Sequence, residues 1–283
     1  GLLPGTILFA GVIGLVPVYT DASFLVNVRG LFNLWVIALS AGLAFFHTGL
    51  RTWMRVALFG LAGAYVAWGI FIRVSWLAGW LPGVIALGIL ILIRTRVGAI
   101  AAALVVAVVL AFNMSWVDRV FAAEDKESGE TRLAAWEVNW SITRDHLMFG
   151  TGPAGYAAYY MTYYPRSGMA THSNYIDIFA ETGIIGFAVY AWLIISILWV
   201  GLRVNWRVRH DKGFTRAIAT AALAGAIACT VIMGFGDWLI PFAYTQTIMG
   251  FDYTVYSWIF MGTLLYLDRQ TRSKPQLAAG AQP

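Results

Sequence analysis

Charge is what this sequence has least of. Only 12% of its 283 residues are Asp, Glu, Lys or Arg, roughly half the ~25% typical of soluble globular domains. Such a chain cannot cover itself with a hydrated surface, and a water-soluble fold is excluded. Cysteine is nearly missing: the single Cys229 rules out a disulfide framework and a cysteine-built zinc site, and its place inside an apolar run gives it a packing role. The opening run lacks the positive flank and small-residue cleavage site of a secretory leader. It starts at Gly1 rather than Met, so the chain is read as N-terminally truncated, short of some helices. No G-x-S-x-G elbow is present, and no His, Cys, Asp or Glu spacing suits zinc. The formal charge of +5 comes without a basic patch interleaved with aromatics, so nucleic acid is not a partner.

What the sequence has instead is long apolar runs. It is 60% hydrophobic with mean hydropathy +0.72. Uncharged stretches at 5–19, 31–46, 56–72, 75–93, 97–112, 183–202, 217–236 and 253–267 give eight candidate spans. The shorter ones must borrow flanking residues to reach the ~20 a spanning helix needs. The expected fold is an all-α polytopic membrane protein. Gly42, Gly60, Gly63, Gly83 and Gly88 inside the runs suit close helix packing in lipid. The absence of charge within them argues against a coupled transporter, and a plain structural subunit would leave the polar middle of the chain unexplained.

Lys and Arg assign the sides. With the 203–216 loop in the cytoplasm and sides alternating, twelve of the nineteen basic residues fall inside, and twelve of the fourteen acidic residues fall outside. This puts the long polar segment 113–182 on the periplasmic or extracellular face, where no ATP is available. Any reaction there must use a substrate that arrives activated. The resulting plan is spans 1–5 over residues 1–112, an outward loop over 113–182 carrying short amphipathic helices, spans 6–8 over 183–267 and a cytoplasmic tail over 268–283.

The loop holds most of the acidic residues. Leu133, Trp136 and Trp140 recur at helical spacing, which predicts an amphipathic helix with Arg132 near its start. Gly150, Gly152 and Gly155 match G-x-G-x-x-G, but no strand precedes them, so the dinucleotide reading fails. A glycine loop that offers backbone N–H groups to an anion or a sugar survives. A second helix is predicted from Ser173, with Asn174, Asp177 and Glu181 as a polar stripe ahead of a break at Gly183. His172, at that helix start, is a candidate base near neutral pH. Arg73 sits between two spans with almost no loop. Paired with Arg132 on the outer face it would clamp a diphosphate.

Arg132-Leu-Ala-Ala-Trp136, His146-Leu-Met-Phe-Gly150-Thr-Gly152-Pro153, His172-Ser-Asn174-Tyr175 and Phe179-Ala-Glu181-Thr-Gly183 arrive in that order. Together they resemble the O-antigen ligase/polymerase family, bacterial membrane glycosyltransferases that act on polyprenyl-diphosphate-linked glycans. Ile72 stands where the family places Ser before the upstream arginine, and Ser173 separates His172 from Asn174. The resemblance implies a GT-C-like bundle of about eight spans in the bacterial inner membrane, with no metal and no cofactor. It makes Arg132, Arg73 and His172 catalytic, and Gly150, Gly152, Asn174, Tyr175 and Glu181 substrate-binding. Tyr156, Tyr159, Tyr160, Tyr163 and Tyr164 would offer faces to sugars. The donor would be an undecaprenyl diphosphate-linked glycan. The acceptor hydroxyl would belong to lipid A core or a growing glycan, with a protein as the alternative.

Overall fold

The computed structural model describes residues 4–12, 31–72, 77–112, 130–153, 155, 171–236, 238–240 and 250–279. Among them there is no strand, as expected where lipid offers no partner to the backbone and each segment must close its own hydrogen bonds. The helices are α1 (4–12), α2 (Phe32–Phe46), α3 (Thr52–Ala67), α4 (Leu77–Arg94), α5 (Arg96–Phe112), α6 (Glu130–Thr143), α7 (Asn174–Arg207), α8 (Phe214–Ile232) and α9 (Gly250–Ala279). The protein is an all-α membrane protein. Among the described residues three stretches are long and apolar enough to cross a bilayer: Thr52–Phe71, Asn174–Arg207 and Phe214–Phe235. Phe32–Phe46 and Gly79–Arg94 are shorter apolar helices.

α2 and α8 form the centre, packed on each other, with α4 against both. α2 is apolar apart from Asn33 and Ser40 and buries almost its whole circumference, including Leu34, Trp35, Ile37 and Leu43. α8 matches it with a small-residue face of Ala217, Ala221, Ala224, Gly225 and Ala228, all buried. The large-against-small fit is tight: a Cβ at Gly225 would overlap the Trp35 ring, and one at Gly42 would overlap Ala221. The Trp35 indole N–H donates to Ser257 Oγ on α9 at 3.0 Å, which satisfies a polar atom in the core. Cys229 is fully buried there, in the packing role read from the sequence.

The connections gather at two ends. At one, the backbone N–H and hydroxyl of Thr48 both donate to the Lys212 carbonyl, at 3.0 and 2.8 Å, joining the α2–α3 loop to the α7–α8 loop. Arg207 and Arg272 there share Asp268, each at 2.6 Å. These loops are the ones charge counting assigned to a common side. At the other end α3 widens into a π-helical turn, Trp68–Ile72. α6, the N-terminus of α7 and residues 238–240 meet at that same end.

Candidate functional site

The site is assembled around the first turn of α7. His172 precedes it with φ 53°, the one left-handed non-glycine among the described residues, and its side chain is exposed. This conformation costs an ordinary L-residue about 1–2 kcal/mol, so neighbouring contacts must impose it. They come from Thr171 and Ser173, both buried. The Thr171 hydroxyl donates to Asp177 Oδ1 at 2.7 Å and accepts the Ser173 N–H at 3.3 Å. The Asp177 N–H returns to the Ser173 carbonyl at 3.0 Å. The turn is tied shut, and His172 is left at its apex.

A hydrogen bond among the described residues ties α6 to this turn. Trp136 Nε1 donates to the Thr171 carbonyl at 2.8 Å. Arg132 lies four residues earlier, in the first turn of α6. Asn139 and Thr143 are buried and hydrogen-bonded to each other at 3.3 Å, while Trp140 is 56% exposed. Between α6 and α7 lies a groove of about 450 Å3 lined chiefly by Trp136, Trp140, Tyr175, Phe179 and Phe187, with Asn139 at its edge.

The polar stripe Asn174, Asp177, Glu181 exists as predicted but points inward, and all three side chains are buried. The Asn174 amide spans the 238–240 segment: Oδ1 accepts from Leu239 N at 2.9 Å and Ile240 N at 3.3 Å, and Nδ2 donates to the Ile240 carbonyl at 2.9 Å. Tyr175 donates its hydroxyl to the Thr230 carbonyl of α8. Both side chains thereby anchor the helix start.

The glycine loop closes as a clasp on α7. Thr151 N–H donates to the Ala180 carbonyl at 2.8 Å, Gly152 N–H to the Glu181 carbonyl at 3.0 Å, and Ile184 N–H to the Leu147 carbonyl at 2.9 Å. Gly150 N–H closes its own turn on the His146 carbonyl at 2.7 Å. The amides read from the sequence as facing an anion are therefore donated within the protein. α7 breaks at Gly183, whose φ 65° and ψ −169° belong to a region reserved for glycine. A Cβ there would collide with the Met148 backbone, and one at Gly150 with the Glu181 backbone. Two chain segments cross here at a separation only glycine permits.

The sequence profile of O-antigen ligases matches residues 35–191, more than half of the chain. The chain belongs to that family. No curated protein matches it. The family match runs from α2 through the clasp into α7, so it contains every candidate site residue. It makes the protein a membrane protein of glycan transfer, with lipid-linked and glycan substrates as a class.

Within this O-antigen ligase family member, the fold joins His172, the helix carrying Arg132, and the clasp of Gly150, Gly152 and Glu181. Arg73 follows directly on the π-helical turn and lies outside the described residues, as do the five tyrosines of 156–164. Among the described residues no group of three or more His, Cys, Asp or Glu could hold a metal ion. Trp136, Thr171 and Thr151 carry the geometry, and only Trp136 stood out in the sequence, for its apolar spacing. The Thr-His-Ser run ahead of a helical stripe signals a cap but not which residue does the tying.

Proposed function

We propose that the protein transfers a glycan from a polyprenyl diphosphate, of the undecaprenyl class, to an acceptor hydroxyl at the outer face of the bacterial cytoplasmic membrane. This is the reaction of an O-antigen ligase or a polysaccharide polymerase. The acceptor oxygen attacks the anomeric carbon as the bond from that carbon to the diphosphate oxygen breaks, inverting the centre. The electron pair leaves with the diphosphate and the hydroxyl proton passes to a His172 ring nitrogen. Arg132 and Arg73 take up the charge developing on the departing diphosphate, the role a divalent cation plays elsewhere, so the step needs no metal. The aromatic groove between α6 and α7 suits the isoprenoid tail, since its walls are apolar and it opens beside the arginine helix.

The single observation that carries this reading is the Trp136–Thr171 bond. It fixes the arginine-bearing helix against the turn that presents the histidine. Asn174, Tyr175 and Glu181 serve the reaction by holding that turn, and Gly150 and Gly152 by holding the clasp. The test supplies purified protein with polyprenyl-diphosphate oligosaccharide and, separately, lipid A core, glycan and peptide hydroxyl acceptors, with and without EDTA. Lipid diphosphate release is expected from the native protein regardless of EDTA, and loss of release in Arg132→Ala and His172→Ala. Full turnover in both variants would sink the mechanism, and the acceptor consumed identifies the subclass.

A further inference from the structure

At the end of the bundle away from His172, cationic side chains from three elements converge on one concavity of about 360 Å3. Arg94 comes from the last turn of α4, Arg209 and Lys212 from the turn after α7, and Arg216 from the first turn of α8. Phe46 and Thr48 complete the wall, Asp211 is the one carboxylate in the lining, and His210 is its other titratable group. Orientation of a membrane protein requires an excess of Lys and Arg anywhere in the flanking loops. It does not require them in a shared cavity.

Neighbouring cations are used differently. Arg207 and Arg272 are both paired with the Asp268 carboxylate. None of the four pocket cations forms an ion pair with a carboxylate among the described residues. Arg94 and Arg216 repel each other, and the lining carboxylate Asp211 offsets part of that repulsion. The arrangement is nevertheless held open by its backbone, because Thr48 pins the Lys212 carbonyl twice. Arg216 is further held over the Phe46 ring, at 5.1 Å from its centroid. A cavity lined by four cations and one carboxylate keeps an excess of positive charge that suits an anion.

The surroundings indicate where that anion comes from. Arg209 lies over the Trp206 ring at 3.8 Å from its centroid, and Trp206 is itself 70% exposed. Trp199, two turns earlier on the same helix, is 59% exposed. Outward-facing tryptophans mark the headgroup layer of a bilayer, so the pocket mouth opens at that depth. Guanidinium forks accept phosphate oxygens in pairs, and a lysine adds a point charge.

We propose that this pocket binds the phosphate of an anionic phospholipid headgroup. The test takes the purified full-length chain, stripped of lipid in detergent, and adds phosphatidylglycerol, phosphatidylcholine or inorganic phosphate separately. Native mass spectrometry reads bound lipid and thermal unfolding reads protection. Phosphatidylglycerol is expected to bind and protect, and phosphatidylcholine is not. Arg94→Gln with Lys212→Gln should weaken phosphatidylglycerol binding roughly thirtyfold, equivalent to about 2 kcal/mol for two cations. Arg51→Gln and Arg96→Gln, exposed at the same end but outside the lining, should leave it unchanged. Lys212→Gln alone guards against misfolding, since the loop is held through that residue's carbonyl, and it should weaken binding about fivefold. Protection by inorganic phosphate alone would reassign the pocket to a soluble phosphate compound and overturn the lipid source. Equal retention of the two lipids, or undiminished binding in the folded variants, would overturn the site.

Discussion

Trp136 donates its indole N–H to the backbone carbonyl of Thr171 at 2.8 Å, across 35 residues of chain. That bond sets the register between α6 and the turn bearing His172. Trp136→Phe keeps most of the ring and removes the donor, costing about 1 kcal/mol of net hydrogen bonding. Because Arg132 lies on the same helix one turn earlier, the expected result is a folded protein whose glycan-transfer kcat falls about tenfold or more from misplacement. Trp136→Phe with native kcat would detach this contact from the reaction.

His172 is held in a left-handed conformation at the apex of its turn. Asparagine adopts that region more readily than histidine. His172→Asn is therefore expected to match or exceed the native unfolding midpoint while lowering transfer by about a hundredfold or more, the usual worth of a general base. A variant that is both fully active and fully folded would remove His172 from the proton path.

Gly183→Ala places a Cβ on the Met148 backbone at a dihedral pair only glycine occupies. The conformation alone costs about 1–3 kcal/mol, and the collision adds to it. A lower unfolding midpoint in detergent and loss of transfer are expected together. Gly60→Ala, where an added Cβ meets nothing within 4 Å, serves as the neutral control.

Asn174→Ala removes three hydrogen bonds to residues 239 and 240 at once. Leaving buried backbone groups without partners costs about 1–3 kcal/mol. Hydrogen exchange at Leu239 and Ile240 should quicken selectively. Asn174→Asp, which keeps the acceptor but not the donor, should recover part of the protection.

Burial pushes the Asp268 carboxyl up, but the hydrogen bonds and charges of Arg207 and Arg272 outweigh it and hold the group below its ordinary value. A carboxyl depressed in the folded state contributes stability above the unfolded value of about 3.9, and the contribution is lost as pH falls through the folded value. Asp268→Asn should therefore be less stable than the native protein at neutral pH, by no more than about 1 kcal/mol given its exposed partners. The two unfolding midpoints should converge below about pH 4. A gap that persists in acid would contradict the ion-pair account.

The sequence carried the class of fold and the neighbourhood of the site, because apolar length and the order of motifs are properties of consecutive residues. Gly150, His172 and Glu181 could be named from their local settings. What they touch could not. The helical stripe of Asn174, Asp177 and Glu181 shows a common face, but period alone does not say whether that face meets water, lipid or residues 238–240. The glycine loop reads as a donor surface because a Gly- and Pro-rich loop can bring its backbone N–H groups close to an anion or a sugar, but its own acceptors are not visible in the sequence. Those acceptors are the carbonyls of Ala180 and Glu181, about thirty positions away, made available when α7 breaks at Gly183.

That break also works as a depth gauge. From Gly183 to Arg207 the helix rises about 36 Å at ~1.5 Å per residue, a little more than the ~30 Å hydrocarbon layer of a bilayer. One end of this rod is fastened to the clasp and the other borders the cationic pocket. On the proposed reading, in which this rod crosses the bilayer, lipid thickness would set the level of both ends and lift the segment from Asn174 to Thr182 toward the headgroups. A bilayer too thick or too thin for this rod would then shift the histidine off the plane of the proposed lipid-linked donor, without altering a single side chain.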